Sequence, residues 1–361
     1  MDKLYSQSNQ STELQVQGLN QLNIDENKLK YPDFYNLQDT DKSLDFDIYF
    51  PTVLNALRDY AQLTDLQDAI HTCNDLSIPQ EDRNKRYFAW YKQVQENVLT
   101  QIYEEICLVI PEWKDLTEID NNIVCVHTMN VLYLTVNDDR FKNLSSQEQN
   151  IMKWAVLLHD VRKLGPPHFF GKDHTHPFKG GKAVLEAFNR LGLIADDQQE
   201  NLKSMISLID QSKEKLDPKL LEKQRDTVTT PAFGAILCDE MHSHKYLSDI
   251  FLLFWETIAE RGSFIDLVFR LVFFHQSLIG INDIPAVVEL SQEERLIYCD
   301  EYFLTIMKIL MVNDSLSYMY VCDFDQKKCK CLQNFDDNSA LMIEDYKKRK
   351  ALLKYHIQKG L

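Results

Sequence analysis

Glycine is scarce in this chain: its 361 residues include only ten glycines. The sequence also lacks a run of about 18 apolar residues, so a membrane-spanning helix is not expected. The N-terminal residues show no basic segment followed by an apolar core, and they are neither rich in arginine nor poor in acidic residues. Neither a secretory signal nor a transit peptide is therefore predicted, and we expect a cytoplasmic protein.

Regular cysteine spacing is also lacking. The eight cysteines are scattered and contain no C-x-x-C pair, which favours reduced thiols over a zinc site or a disulfide framework. The glycine-rich nucleotide-binding loops, the G-x-S-x-G motif of serine hydrolases and the H-E-x-x-H zinc motif are missing too. These absences argue against a dinucleotide-dependent enzyme and against a P-loop ATPase.

Positive charge is in short supply. Lysine and arginine number 39 against 55 aspartate and glutamate residues, which leaves a formal net charge of −16. Because nucleic-acid affinity comes from lysine and arginine that neutralise phosphates, this balance argues against a nucleic-acid partner. A small phosphorylated substrate stays compatible with it, since a bound metal ion supplies positive charge locally.

Alternating apolar and polar residues, which would indicate strands, are rare. Apolar residues recur instead at three- and four-residue steps, so the sequence predicts an all-α fold. We divide the chain into a polar flexible arm (1–45), an N-terminal helical extension (46–115), a helical domain (116–320) and a C-terminal tail (321–361). A protein partner, if there is one, is expected to bind through 46–115, and the oligomeric state is left open.

The doublet His159-Asp160 is the most informative feature of the sequence. It closes an apolar run that begins at Trp154, and three more histidines follow closely, at 168, 174 and 176. Half of the ten glycines lie between 165 and 192. Imidazole and carboxylate groups are metal ligands, and glycine allows close approach of backbone segments. This combination predicts a metal site where a helix ends and a loop begins.

Three stretches of the chain resemble the HD-domain superfamily of metal-dependent phosphohydrolases. They are Cys125–Val131, Trp154–Lys163 and His176–Gly180. That family has a histidine on one helix and a His-Asp doublet at the end of the next helix, and here His127 precedes His159 by 32 residues. The resemblance is strong over 121–192, extends to about residue 320, and includes neither the first hundred residues nor the tail.

The resemblance implies an HD-domain-like helical bundle with one buried metal centre. Its ligands would be His127, His159, Asp160 and a late aspartate, for which we prefer Asp314 and keep Asp239 as the alternative. Ligands of mixed nitrogen and oxygen type would take a divalent ion, namely Mn, Fe, Co, Ni, Zn or Mg, and the resemblance does not fix which.

Further roles also follow from the resemblance. Asp160 would orient an attacking water, and His176 would bind a second ion or protonate the leaving group. Lys163, Arg162 and Lys179 would hold phosphate, although Arg162 stands where the family usually has glycine. His275, which follows an apolar helix, is interpreted as a core histidine that could approach the site.

Three functional hypotheses remain open from the sequence. The first is a metal-dependent phosphohydrolase acting on a nucleotide or another small phosphate ester. The second is a catalytically inactive HD-like scaffold or regulatory subunit, which Arg162 and the unmatched flanking segments would favour. The third is a structural metal site, for which chelation would unfold the protein.

Overall fold

The computed structural model describes residues 44–63, 77–117, 123–163, 176–214, 244–275 and 298–317, together with residues 340 and 344. Within these ranges the chain is helical apart from turns and short connections, and no strand is present. The all-α prediction is therefore confirmed for this part of the chain. Residues 1–43 of the predicted arm, and the predicted tail apart from residues 340 and 344, lie outside the described residues.

The helices follow one another with short connections where the chain between them is described. They are α1 (Phe46–Tyr49), α2 (Pro51–Leu63), α3 (Gln80–Val94), α4 (Thr100–Val109), α5 (Trp113–Thr117), α6 (Ile123–Asn137), α7 (Asp139–Lys142), α8 (Ser146–Leu158), α9 (His176–Arg190), α10 (Gln199–Glu214), α11 (His244–Thr257), α12 (Phe264–Phe274) and α13 (Glu301–Ser317). A π-helical stretch, Gln95–Leu99, joins α3 to α4.

Helix α8, which leads to the His-Asp doublet, begins with a capping box. The Oγ atom of Ser145 accepts a hydrogen bond from the backbone N–H of Glu148 at 3.3 Å, and the Glu148 carboxylate accepts one from the backbone N–H of Ser145 at 2.6 Å. These bonds satisfy two of the N–H groups that have no partner inside the first turn of a helix. The cap thus sets where α8 begins, and the doublet follows directly after its last residue, Leu158.

Helix α8 lies at the centre of the described core. Its side chains from Trp154 to Leu158 are all buried, because α8 packs against α6, α9, α12 and α13. Helix α12 is buried along its whole length, and α13 packs against α6. A helix that is apolar on all sides is stable only inside a core. The residues that follow α8 therefore start deep in the protein.

Helices α9 and α12 approach each other closely at Gly180 and Gly181. A Cβ atom at Gly180 would lie 2.8 Å from Cγ1 of Val272 and 3.4 Å from the carbonyl oxygen of His159. At Gly181 it would lie 2.8 Å from the ring of Phe273. These spaces are too small for a methyl group in a close-packed core. The two glycines therefore allow the start of α9 to lie against the doublet.

The first described segment packs on α8 at Trp154. Phe46 and Phe50 are fully buried, and their ring centroids lie 5.8 and 5.2 Å from that of Trp154. The indole N–H of Trp154 donates to the carbonyl oxygen of Leu44 at 2.9 Å. Leu44 is buried, although the predicted flexible arm (1–45) includes it. Burial of its apolar side chain and its hydrogen bond to the indole hold this segment on the core.

A buried charge cluster connects α11, α12 and the start of α13. Arg270 is fully buried, and its guanidinium donates to Asp266 at 2.7 Å and lies 3.4 Å from Asp300. The indole of Trp255, on α11, donates to Asp266 at 2.8 Å, and Asp300 accepts a backbone N–H in the first turn of α13. Because buried charges are stable only with partners, this cluster fixes how the three helices meet.

The predicted boundary between the extension and the helical domain falls within α5, and it remains a prediction. The indole of Trp113, at the start of α5, donates to the carbonyl oxygen of Leu157 in α8 at 3.3 Å. By chain contacts every described residue belongs to one compact unit, Asp41–Leu361. Among the described helices, none combines the length and the apolar character that crossing a membrane would require.

Candidate metal centre

Five helices bring imidazole and carboxylate groups to one buried point. His127 lies on α6, His159 and Asp160 follow α8, His176 begins α9, His275 follows α12, and Asp314 lies in the last turns of α13. All six residues are buried. The apolar helices α8 and α12 both end inside the core, and each is followed at once by a histidine. The local sequence pattern therefore places these rings where water does not reach them.

The first group consists of His127, His159, Asp160 and Asp314. Nε2 of His127 lies 3.0 Å from Oδ1 of Asp314 and 3.4 Å from Oδ2 of Asp160. Nε2 of His159 lies 3.6 Å from Oδ2 of Asp160 and 3.8 Å from Oδ1 of Asp314. Two ligands bonded to one ion at about 2.1 Å lie roughly 3.0 Å apart at a right angle and roughly 3.4 Å apart in a tetrahedron. The observed spacings are close to these values.

The second group consists of Asp160, His176 and His275. Nε2 of His176 lies 3.0 Å from Oδ1 of Asp160 and 2.9 Å from Nε2 of His275. Nε2 of His275 lies 3.8 Å from the same Asp160 oxygen. Asp160 therefore belongs to both groups, because its Oδ2 atom faces the first group and its Oδ1 atom faces the second.

Backbone carbonyl groups fix the ring orientation of two histidines. Nδ1 of His159 lies 2.7 Å from the carbonyl oxygen of Val156, and Nδ1 of His275 lies 2.6 Å from that of Val272. A carbonyl oxygen can only accept, so each Nδ1 atom carries a proton and donates it. In the neutral ring the Nε2 atom then presents a lone pair, and both Nε2 atoms lie toward the carboxylates. This is the ring form that binds metal ions.

Burial sets the protonation of these two rings. Burial, together with His176 and His159, lowers the pKa of His275 to about 3. Burial also lowers the pKa of His159, against the opposing effect of Asp160 and Asp314. Both rings are therefore neutral at pH 7, as a metal ligand must be.

The two carboxylates and His127 shift one another's pKa values. Burial acts to raise the pKa of Asp160, but Lys163 and the nearby histidines hold it well below its ordinary value. Burial likewise acts to raise the pKa of Asp314, but His127 lowers it to about 2. Burial acts to lower the pKa of His127, and its hydrogen bonds with the two carboxylates raise it above the ordinary value. Binding of a cation by His127 would therefore release a proton.

Three buried polar atoms at this point have no hydrogen-bond partner among the residues that the structure describes. They are Nε2 of His159, Oδ1 of Asp160 and Oδ1 of Asp314. His176 approaches the Asp160 atom to 3.0 Å, but without the bond angles of a hydrogen bond. Buried polar atoms are nearly always satisfied, and leaving one unsatisfied costs free energy. A divalent cation in the first group would satisfy the His159 and Asp314 atoms, and one in the second group would satisfy Oδ1 of Asp160. This mixture of nitrogen and oxygen suits Mn, Fe, Co, Ni or Zn.

The buried histidine and aspartate groups could thus hold a metal ion. No family model, curated protein or solved structure matches this chain. The argument for a metal centre therefore depends on the positions of these six side chains. The resemblance to the HD-domain superfamily stays a prediction.

Two of the predicted phosphate-binding residues have carboxylate partners. Nζ of Lys163 lies 2.7 Å from Oδ2 of Asp160, so this half-buried lysine contacts the metal centre itself. The guanidinium of Arg162 lies 3.5 Å from Glu186 and 3.7 Å from Glu112. Part of the charge on Arg162 is therefore balanced by acidic residues of α9 and of the turn before α5.

The remaining predicted residues are divided between the described and the undescribed parts of the chain. Lys179 is half-buried in the first turn of α9, three residues after His176. Asp314 is the late aspartate that the structure brings to the doublet. Asp239, the alternative to it, lies outside the described residues, as do the histidines at 168 and 174.

His275 belongs to the second ligand group but is not among the predicted ligands. Its sequence signal is the repetition of one local pattern: Val156-Leu-Leu precedes His159, and Val272-Phe-Phe precedes His275. In both cases the ring donates from Nδ1 to the carbonyl of the residue three positions earlier. Two apolar helices that each end at a buried histidine are thus a recognisable signature of this arrangement.

The metal-free protein is expected to lose stability as the pH falls from 7 to 5. Because burial holds the pKa of His159 and His275 below the ordinary value in the folded state, the unfolded chain binds more protons below pH ~6.5. The free energy of unfolding should then fall by about 1.4 kcal/mol per pH unit through His275, whose pKa is about 3 in the folded state, and His159 contributes in the same direction. The raised pKa of His127 acts in the opposite direction only above pH ~6.5. Urea unfolding in the presence of a chelator at pH 7, 6 and 5 measures this slope.

The variant His275→Asn is the matched control for this prediction. Since it removes one of the two rings, its stability should depend less steeply on pH by about one proton, or ~1.4 kcal/mol per pH unit. Equal slopes for the wild type and His275→Asn would contradict the prediction.

Proposed function

We propose that this chain is a metal-dependent phosphohydrolase of the HD-domain type, acting on a nucleotide or another small phosphate ester. The observation that carries the proposal is the convergence of His127, His159, Asp160 and Asp314 from three helices, with ligand-to-ligand spacings of 3.0–3.8 Å. The resemblance of the sequence to the HD-domain superfamily, over the same residues, supports the same reading.

The second group supports a centre for two ions, with Asp160 shared between them. His176 and His275 would complete the second position, because their Nε2 atoms both face Oδ1 of Asp160. This arrangement favours a ligand role for His176 over the alternative role of a proton donor to the leaving group. Divalent ions in such a centre lower the pKa of water and offset the charge on a phosphate.

The chain's own residues would contribute in distinct ways. The two carboxylates hold the negative charge that attracts the ions, and burial by α8 and α12 keeps bulk water away from them. Lys163, which lies 2.7 Å from Asp160, is the cation best placed to meet a phosphate oxygen at the edge of the centre. The Asp160 carboxylate would also accept a hydrogen bond from a water that attacks phosphorus.

Metal analysis of the purified protein, followed by a hydrolysis screen, tests this function. The chain should retain about one to two divalent ions, as a centre of this kind requires. After chelation and reloading with Mn, Co, Fe, Ni, Zn or Mg, it should release phosphate from at least one member of a panel of nucleotides and phosphate mono- and diesters. If the wild type retains no ion and turns over no ester, the proposal is wrong.

A scaffold that binds ions without hydrolysis is the second candidate. The observation that favours it is Arg162, which stands where the HD-domain family usually has glycine. Its guanidinium lies near the carboxylates of Glu186 and Glu112. Retention of ions together with no turnover of any ester would support this candidate over the enzyme.

A further inference from the structure

Ser317 is the last residue of α13, and its hydroxyl lies between two residues of the first ligand group. The side chain is buried, with its Oγ atom 2.8 Å from Nδ1 of His127 and 2.6 Å from the carbonyl oxygen of Asp314. Neither the sequence motif nor the set of metal ligands includes this serine.

Proton counting fixes the direction of both hydrogen bonds. A hydroxyl has one proton, and a carbonyl oxygen can only accept. Two oxygen atoms 2.6 Å apart need a proton between them, so Ser317 donates to Asp314. Its Oγ atom must then accept from Nδ1 of His127, which therefore carries a proton. The Nε2 atom of His127 is left to face the carboxylates of Asp160 and Asp314.

His127 needs an acceptor from another helix because of its place in α6. His159 and His275 each follow the last residue of a helix, where the final carbonyl groups have no intrahelical partner and can accept from the ring. His127 lies in the second turn of Ile123–Asn137, where the carbonyl groups take part in the helix itself. The hydroxyl of Ser317 accepts the hydrogen bond from Nδ1 of His127, as a backbone carbonyl does for the other two rings.

We propose that Ser317 is a positioning residue for the metal centre. It holds His127 in the ring form with the proton on Nδ1, so that Nε2 is available to the first ion. Through its second hydrogen bond it also ties the backbone of Asp314 to the same ring, which sets the distance between two ligands of one ion. This inference rests on the proposed metal-dependent function.

Metal titration of two variants of the full chain tests the proposal. Ser317→Ala removes the acceptor, whereas Ser317→Thr keeps a hydroxyl at the same position. Calorimetric titration of the metal-free protein with Mn²⁺ should give a dissociation constant about ten- to a hundred-fold higher for Ser317→Ala than for the wild type. Ser317→Thr should restore affinity to within about three-fold, and the absorption spectrum of the Co²⁺ form should change for the alanine variant alone.

Ser204→Ala is the matched control. Ser204 is an exposed residue of α10 whose hydroxyl also donates to a backbone carbonyl, that of Glu200 at 2.9 Å. It should leave the Mn²⁺ affinity and the Co²⁺ spectrum unchanged. If Ser317→Ala does not fold, Ser317→Cys carries the same test, because a thiol is a weak acceptor and should also weaken binding.

The outcomes separate this inference from the proposed function. If the wild type binds none of the six ions of the hydrolysis screen, both the proposed function and the role of Ser317 are wrong. If the wild type binds Mn²⁺ and the folded Ser317→Ala or Ser317→Cys variant binds it equally well, only the role of Ser317 is overturned. Weaker binding by Ser317→Ala with recovery in Ser317→Thr supports the role of the hydroxyl.

Discussion

Asp160→Asn is expected to abolish tight metal binding and to lower kcat/KM for any hydrolysed ester by about a thousand-fold or more, equivalent to ~4 kcal/mol of transition-state stabilisation. The amide has nearly the shape of the carboxylate, so the helices around it can keep their packing. It lacks the negative charge, and one of its two oxygen atoms is replaced by an NH₂ group that cannot bind a cation.

The expected effect is large because Asp160 is the residue shared by both ligand groups. Its Oδ2 atom lies 3.4 Å from His127, and its Oδ1 atom lies 3.0 Å from His176. Loss of any other ligand would affect one group, whereas this change affects both. Lys163 would also lose its carboxylate partner, which at present balances its charge inside the site.

Metal content by mass spectrometry and the rate of ester hydrolysis measure the result. Asp139→Asn makes the same chemical change at a surface position, where the carboxylate is 93% exposed, and should behave as the wild type. Far-UV circular dichroism of both variants checks that the helices are intact. A folded Asp160→Asn variant with wild-type metal content would contradict the assignment of Asp160 as a shared ligand.

Arg270→Met is expected to destabilise the protein by about 3–5 kcal/mol, independently of any metal. The methionine fills much of the same volume, but it leaves the carboxylates of Asp266 and Asp300 in the core without the guanidinium. Arg270 and Asp266 have no exposed surface, so water cannot replace the lost partner. Removal of one member of a buried charge pair is costly for this reason.

Urea unfolding compares this variant with an exposed counterpart. Arg140→Met removes an ion pair with Asp138 whose arginine side chain is 42% exposed, and it should cost less than about 1 kcal/mol. The double variant Arg270→Met with Asp266→Asn removes one of the stranded charges and should recover part of the loss. A cost below about 1 kcal/mol for Arg270→Met alone would show that the buried cluster contributes little.

The sequence predicted those features of the site that depend on spacing along one helix and its end. The apolar run before His159 and the 32 residues from His127 to the doublet are local or nearly local patterns. Such patterns specify where a helix begins and ends, and hence that the doublet lies at a buried helix terminus. The all-α class follows from the same periodicity.

The sequence could not predict contacts that depend on how distant helices pack. His275 was left out of the ligand set because a histidine after an apolar helix is usual in any core, and only the packing of α12 on α8 and α9 brings it to the centre. Ser317 lies 190 residues from His127, and no local rule pairs a serine with a histidine at that separation. Arg162 was predicted to meet phosphate, whereas its contacts with Glu112 and Glu186 depend on the turn before α5 and on α9.

The contact between Leu44 and Trp154 bears on how this chain can be shortened. The two residues are 110 positions apart. The indole of Trp154, which donates to Leu44, lies on the helix that ends just before His159. A fragment beginning after Phe50 would expose that indole to water and uncover one side of α8. Removal of residues 44–50 should therefore weaken the packing around the helix that precedes His159, because these residues cover one side of it.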